Sequence, residues 1–409
     1  MKSIAVIGAG VTGVTTAYAL SKKGFKVDVF ERCKYSAMET SYANGGQISV
    51  SNAEVWNSWP TVAKGMKWML RKDAPFLFNP TLSIHKYSWI AEFLGQIRKY
   101  RGNTSETVRL CMLAREHLDS IVKEEDIRFD WEKRGILHLY ADRGEFEGAK
   151  RANEIMVSAG LERFCVSPGE MRDIEPTLVG DFCGGLFTPS DSTGDVNKFT
   201  KELSKACVGR GVVFHYEVEV DYINTERNEC VSMKYTTDGA LAESRFDAVV
   251  VCAGVHSHAF ARCFGDDLNI YPVKGYSITV DLDEESVDCA PMVGLVDDNA
   301  KVVTSRLGHG RFRVAGTAEF NGYNKDIRLD RIRPLIDWVE RYFPGVNTSN
   351  VIPWAGLRPM TPNMLPKFGR GKHGRVFYNT GHGHLGWTLA PATADLTALA
   401  VIQEVGSNF

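Results

Sequence analysis

Ile4-Ala5-Val6-Ile7-Gly8-Ala9-Gly10-Val11-Thr12-Gly13 is the stretch whose reading decides the fold. Four consecutive apolar residues predict a parallel strand buried on both faces. The glycine-rich turn runs straight into a helical pattern carrying Val14, Ala17, Tyr18 and Leu20, closed by Lys22-Lys23-Gly24. A second strand follows at Lys26-Val27-Asp28-Val29-Phe30, with Glu31 at its end. Gly8 permits the tight turn, Gly10 lets a pyrophosphate approach the backbone, and Gly13 lets helix and strand pack closely. Phosphates would meet free N–H groups and the positive end of the helix dipole. Glu31 is placed to accept a hydrogen bond from a ribose 2′-OH and to repel a 2′-phosphate, so FAD or NAD is expected in preference to NADP.

The 409 residues exceed one small core and predict two domains. A composition of 44% hydrophobic and 24% charged residues is that of a soluble globular protein. A formal charge of -2 leaves no electrostatic footprint for nucleic acid. Nine cysteines are scattered without a CxxC pair, so reduced thiols and no metal site are expected. The longest apolar runs, such as 248–254, are too short to span a bilayer, and Met1-Lys2-Ser3 leads directly into the first strand. A cytoplasmic location, with peripheral contact on the inner face of a membrane as an open alternative, is the expectation.

After Glu31 and Arg32, the run Ser41-Tyr42-Ala43-Asn44-Gly45-Gly46-Gln47 combines small residues with hydrogen-bonding groups, either as an ordinary loop or as a contact for the inner part of a flavin. Residues 55–100 are rich in aromatics and cations, among them Trp56, Trp59, Lys64, Lys67, Trp68 and Trp89. Solvated core, an interfacial patch and a lid are all compatible with that composition. The strings at 68–72 and 87–90 read as short helices. Helices are also predicted over 104–125 (with Thr104 or Ser105 as N-cap), 145–159, 196–210, 335–343 and 389–404, the last with Pro391 in its first turn. Ser167-Pro168-Gly169-Glu170 predicts a capped short helix, residues 213–220 an alternating strand, and Asp238-Gly239 a hairpin turn. The buried run 246–254 returns the chain to the first sheet. The expected domains are 1–50, 190–268 and 345–409 for the nucleotide, and 51–189 with 269–344 for the substrate.

Several separate stretches then point one way: Gly8 to Gly13, Glu39-Thr40-Ser41 with Ala43-Asn44, Gly46-Gln47-Ile48-Ser49, Lys67-Trp68-Met69-Leu70, Lys274-Gly275-Tyr276-Ser277, Gly356-Leu357-Arg358-Pro359-Met360-Thr361-Pro362 and Asn379-Thr380-Gly381-His382-Gly383. Together they resemble the FAD-dependent amine and amino-acid oxidoreductases related to D-amino acid oxidase, and within that family the bacterial D-amino acid dehydrogenases of the small-subunit type. The resemblance implies an α/β architecture: a Rossmann-like FAD-binding domain interrupted by an antiparallel-sheet α+β substrate domain. It implies non-covalent FAD, no cysteine lying beyond Cys289. It further implies that Arg358 pairs with the substrate carboxylate, a role that suits a planar guanidinium. Tyr276 becomes a wall or second carboxylate contact, and His382 either a flavin contact or a turn former. Val218 would bracket the adenine, with Ala253 and Gly254 beside the cofactor. Gly381, Gly383, His384, Leu385, Gly386, Trp387 and Thr388 would supply the flavin O2 region. The implied reaction is oxidative deamination of a D-amino acid by hydride transfer from Cα to flavin N5, with a quinone as electron acceptor. An oxygen-using glycine, sarcosine or D-proline oxidase and a hydroxy-D-proline dehydrogenase remain the alternatives.

Overall fold

A computed structural model of the chain describes residues 1–69, 75–226 and 230–406. Ser3–Ile7 lies inside a six-stranded sheet, between Lys26–Glu31 and Ala248–Val251. Val213–Tyr216 extends the sheet on one side and Val376–Thr380 on the other, all parallel, and Lys367–Arg370 closes an edge antiparallel. The continuous apolar run of the first strand is explained by its two covered faces. Ile4 and Val6 point to one core with helices Val11–Lys22, Val196–Gly209 and Gly386–Val405, whereas Ala5 and Ile7 point to another, under a three-stranded antiparallel sheet.

The alternating run at 213–220 is not one strand. Glu217 takes a left-handed φ of 58°, so Val213–Tyr216 stays in the nucleotide sheet and Glu219–Glu226 leaves to begin the three-stranded sheet. Asp238 and Gly239 do form the hairpin, with φ of 51° and 74° suited to a two-residue type I′ turn. The terminal helix begins at Gly386, earlier than expected, so Pro391 falls inside it and not in its first turn. By length and composition that helix could cross a bilayer, but 67% of its apolar window is buried in the fold, as befits a core helix.

The second sheet is mostly antiparallel, with Ile136–Tyr140 parallel to Gly294–Asp297 and Phe76–Phe78 parallel to Arg311–Phe320. Its longest pairing joins Tyr271–Asp281 to Val351–Met360, from Tyr271 opposite Met360 to Val280 opposite Val351. The substrate domain therefore runs on through Met360, and the boundary expected at 345 moves beyond it. Helix Leu329–Tyr342 covers the outer face of this sheet, starting a turn and a half before the expected 335. Helix Tyr100–Glu125 likewise starts early, because the 3₁₀ turn Gln96–Lys99 runs directly into it. Thr104 is consequently no N-cap: its buried hydroxyl accepts from Val55 N at 3.4 Å. Asp142, Ser167 and Asp195 do cap the helices that follow them, Ser167 through a full capping box with Glu170. The expected helix at 68–72 falls partly outside the described residues; Trp59–Trp68 is helical, as is Ile84–Gly95.

Gly13 lies where helix meets turn, and a Cβ there would overlap the Gly8 carbonyl oxygen. Gly13→Ala is expected to cost about 1–3 kcal/mol through overpacking, seen as a lower denaturation midpoint. A midpoint equal to that of the wild type would show that the turn can move aside.

Candidate active site

Between the two sheets lies a cavity of about 950 Å³, reaching from Gly8, Glu31 and Val218 at one end to Arg358 and Trp354 at the other. At the nucleotide end Gly8, with φ of 99°, donates its N–H to Phe30 O at 2.8 Å, which closes the turn. Gly10 caps helix Val11–Lys22 without a side chain, and a Cβ there would find only Ser41 Oγ at 3.5 Å, so the space above it is open. Val11 N donates to that same hydroxyl at 3.1 Å, and Thr12 also lines the cavity. A helix start whose N-cap is a glycine, with Val11 N alone taken by the Ser41 hydroxyl, opens on a long cavity and fits the pyrophosphate of FAD.

Glu31 reaches back to the turn: its carboxylate accepts from Ala9 N at 2.7 Å and Cys33 N at 2.8 Å. It braces the glycine loop and still borders the cavity, with acceptor capacity left on each oxygen. Arg32 also lines this end, paired with Glu39 at 2.6 Å. Val218 lines it too, its N–H committed to Glu31 O at 3.0 Å, while Ala253 and Gly254 follow the buried strand onto the same wall. Gly13 lies behind the turn, outside the cavity.

The run from Ser41 to Gln47 forms the middle wall. Ala43 O accepts from Ser277 Oγ at 2.8 Å, and Asn44 O from Arg313 at 3.1 Å. Asn44 Oδ1 accepts from Gly46 N at 2.9 Å, and Ser305 Oγ donates to Gly45 O at 2.5 Å. Gln47 donates to Leu295 O and Thr304 O. Cβ atoms on Gly45 or Gly46 would press on Val303 or Ser305, so the glycines here serve close approach to the substrate sheet.

At the far end the guanidinium of Arg358 lies across Gly275, where a Cβ would collide with it. Its NH1 donates to Thr317 O at 2.8 Å, and no acid pairs with it among the described residues. Thr317 and Ala318 both stand opposite Gly275, because the strand register slips between Lys274 and Tyr276. Thr317 adopts φ of 62°, a strained value for a β-branched residue, and this turns its carbonyl toward the guanidinium. Burial lowers the Arg358 pKa to about 10. A half-buried cation facing a cavity without a counter-ion asks for an anion.

Tyr276 does not face that anion site with its hydroxyl. Side chains alternate along Tyr271–Asp281, so Gly275 and Ser277 face the cavity while Tyr276 packs under helix Leu329–Tyr342 and donates to the buried Glu319 at 2.8 Å. Burial, then that hydrogen bond, raises its pKa. His382 lies on the turn after Val376–Thr380 with Nε2 2.9 Å from Thr393 Oγ1, which ties the turn to the terminal helix. Burial lowers its pKa to about 3, and the residue both shapes the turn and lines the cavity, so turn former and flavin contact are compatible roles for it. His384, lowered to about 4 by burial, stacks on Trp56 at 5.0 Å with Nε2 3.1 Å from Asn52 O. Gly381, Gly383, Gly386 and Trp387 line the cavity, whereas Leu385 and Thr388 do not. Leu385 is core, and Thr388 accepts from Ser49 N at 3.0 Å.

Sequence reasoning missed the wall beside Arg358. His138 and Tyr140, two apart on one strand face, meet Asp298 at 3.3 and 3.0 Å, and Lys301 meets it at 3.3 Å. All four line the cavity, together with Arg163 and Glu54. No local motif announces these residues, which come from four separate segments. Among the described residues no His, Cys, Asp and Glu group could hold a metal ion.

The family description FAD dependent oxidoreductase matches residues 3–400. The chain is 56% identical over 406 residues to D-amino acid dehydrogenase 3 of Mesorhizobium japonicum, across 99% of this chain and 98% of that one. It is 40% identical over 406 residues to D-amino acid dehydrogenase of Paramagnetospirillum magneticum, across 97% and 94%. Among solved structures, glycine oxidase from Geobacillus kaustophilus superposes with a TM-score of 0.75 at 19% identity, covering 99% and 95%. L-proline dehydrogenase from P. horikoshii superposes with a TM-score of 0.75 at 18% identity, covering 100% and 94%. At such identities these two show the fold alone.

Burial disfavours the charge on Arg358, yet an arginine side chain keeps its proton across the working pH range. The affinity of a non-reactive carboxylate inhibitor should therefore be flat from roughly pH 6 to 9. Isothermal titration across that range checks this, and a tenfold change within it would contradict Arg358 as the anion's partner.

Proposed function

Since the chain belongs to the FAD-dependent oxidoreductase family, we propose that it oxidatively deaminates D-amino acids, and that electrons then pass to a membrane quinone. The observation that carries the substrate class is Arg358, a half-buried guanidinium on the cavity with no acid partner among the described residues. It grips the α-carboxylate through parallel charge-assisted hydrogen bonds. The names of the full-length relatives support the D-amino acid reading.

Gly8, Gly10, the start of helix Val11–Lys22 and the wall from Ser41 to Gln47 would hold FAD, which when bound would supply the acceptor for the hydride that leaves Cα. The protein's own part is orientation. With the carboxylate fixed at Arg358, the amino acid has few orientations left, and such restraint lowers the barrier. Because Cα loses hydride and not a proton, no side chain is needed to abstract a proton from carbon. The start of the terminal helix, with Gly386 and Trp387 on the cavity wall, favours negative charge nearby. Water converts the imino acid product to a 2-oxo acid and ammonia.

The acceptor reading draws on the segment near the cavity mouth. Helix Trp59–Trp68 has no buried residue, and Trp59 is 67% and Met66 61% exposed. Leu82 and Ile84 stand 94% and 92% exposed, with Lys64 and Lys67 close by in sequence. Thr61, Val62, Gly65 and Met66 line the cavity itself. Apolar and cationic side chains bordering the entrance suit a peripheral seat on the inner leaflet, from which a quinone could approach.

Anaerobic addition of D-amino acids should bleach the flavin bands, and L-amino acids should not. Arg358→Ala should keep those bands and lose about a hundredfold or more in kcat/KM, as expected for removal of a charged two-point contact worth about 3 kcal/mol. Peroxide production in air faster than quinone reduction would favour the oxidase alternative. Anionic vesicles should co-sediment the wild type, and Trp59→Ser with Met66→Ser should reduce the bound fraction severalfold; equal sedimentation would remove the membrane seat.

A further inference from the structure

We infer that the substrate's side chain is read by a second pole of the same cavity, the Asp298–Lys301 pair, and that this pole selects a D-amino acid ending in a carboxamide. The inference rests on the oxidoreductase reading above and names the substrate class within it.

The pair is held in place, not merely exposed. Asp298 Oδ2 accepts from Tyr140 OH at 3.0 Å and from His138 Nδ1 at 3.3 Å, while Lys301 Nζ sits 3.3 Å from Oδ1. His138 is locked from behind, its Nε2 lying 3.1 Å from Ser51 Oγ. Burial lowers the His138 pKa to about 4, which keeps this ring neutral. Burial pushes the Asp298 carboxyl up, but the charge of Lys301 and the hydrogen bonds from His138 and Tyr140 hold it well below the usual range. Asp298 and Lys301 each leave 39% of the side chain open, and both line the cavity.

Backbone geometry fixes this pole next to the carboxylate grip. Thr317 donates its N–H to Lys301 O at 3.3 Å and receives Arg358 NH1 on its own carbonyl at 2.8 Å. A single residue thus links the two poles. Lys301, with φ of 54°, closes the hairpin turn between Gly294–Asp297 and Val302–Arg306, so the backbone from which its side chain starts is set by that turn.

The charges choose among side chains. A cationic end drawn to Asp298 would also meet Lys301 and Arg163, and an anionic end drawn to Lys301 would also meet Asp298, so neither charge finds a partner without a repulsive neighbour. An aliphatic end would strip water from both ions and return no hydrogen bond. A primary carboxamide presents a donor and an acceptor side by side, so its NH₂ can donate to Asp298 while its carbonyl accepts from Lys301. Sites that satisfy a polar group in this way discriminate strongly against substrates that lack it.

The test is anaerobic stopped-flow flavin reduction by the holoenzyme with D-asparagine, D-glutamine, D-leucine, D-lysine and D-glutamate. The better carboxamide should exceed D-leucine at least tenfold in second-order rate constant. D-Leucine equal or faster, or D-lysine or D-glutamate in front, overturns the inference while leaving the oxidoreductase reading intact. No bleaching by any D-amino acid sinks that reading as well. In Asp298→Ala and in Lys301→Met the carboxamide-to-leucine ratio should fall tenfold or more. The ratio is internal to each protein, so partial loss of folded material cancels, and an unchanged ratio refutes the assignment.

Discussion

One guanidinium organises the substrate end of this molecule. Arg358 lies flat across Gly275 because that residue has no Cβ, and one of its nitrogens is pinned to the carbonyl of Thr317. The pin exists only because the strand register slips there, placing Thr317 and Ala318 opposite a single glycine. A half-buried cation without a partner is costly. The surrounding sheet tolerates it because the charge opens on a cavity in which an anionic ligand supplies what the protein withholds. The bulge, the glycine and the left-handed threonine form one device, and none of the three has a reason to exist alone.

The nucleotide end is built on the opposite principle, since nearly every group there is already satisfied. Glu31 accepts from Ala9 N in the glycine turn and from Cys33 N just beyond its own strand, and Ser41 Oγ accepts from Val11 N. What remains for a ligand is the unencumbered helix start and the space over Gly10. Between the ends, the run from Thr40 to Gln47 is fastened to the substrate sheet through Leu357, Ser277, Arg313, Ser305, Leu295 and Thr304. The two domains share a wall instead of merely touching.

The first strand, the glycine turn and Glu31 were legible because their spacing follows from local backbone geometry. Arg358 was legible through the resemblance of its flanking motif. Its setting was not, since nothing in Lys274-Gly275-Tyr276 shows that the opposite strand carries an extra residue. The same gap left Tyr276 open between a wall of the cavity, which it does line, and a carboxylate contact, which its hydroxyl does not make. The side of the strand is set by register, and register is a property of the paired strands. His382 could not be placed because its partner, Thr393, belongs to the next helix. Asp298, His138, Tyr140 and Lys301 left no trace at all, being brought together only by the parallel pairing of Ile136–Tyr140 with Gly294–Asp297. The break at Glu217 was equally hidden, because an alternating pattern continues smoothly through it.

The order of the nucleotide sheet bears on how such a chain is made. Ser3–Ile7 leaves the ribosome well before one of its flanking strands, Ala248–Val251, and before the next one out, Val376–Thr380. The helix that packs on its face, Gly386–Val405, follows later still. During synthesis this apolar strand must therefore wait, unpaired on one side, until those segments have been made. Non-local pairing of this kind forms slowly and leaves strand edges open to aggregation. Removing the helix would bare the sheet face that Ile4 and Val6 share with it, an apolar surface newly offered to water.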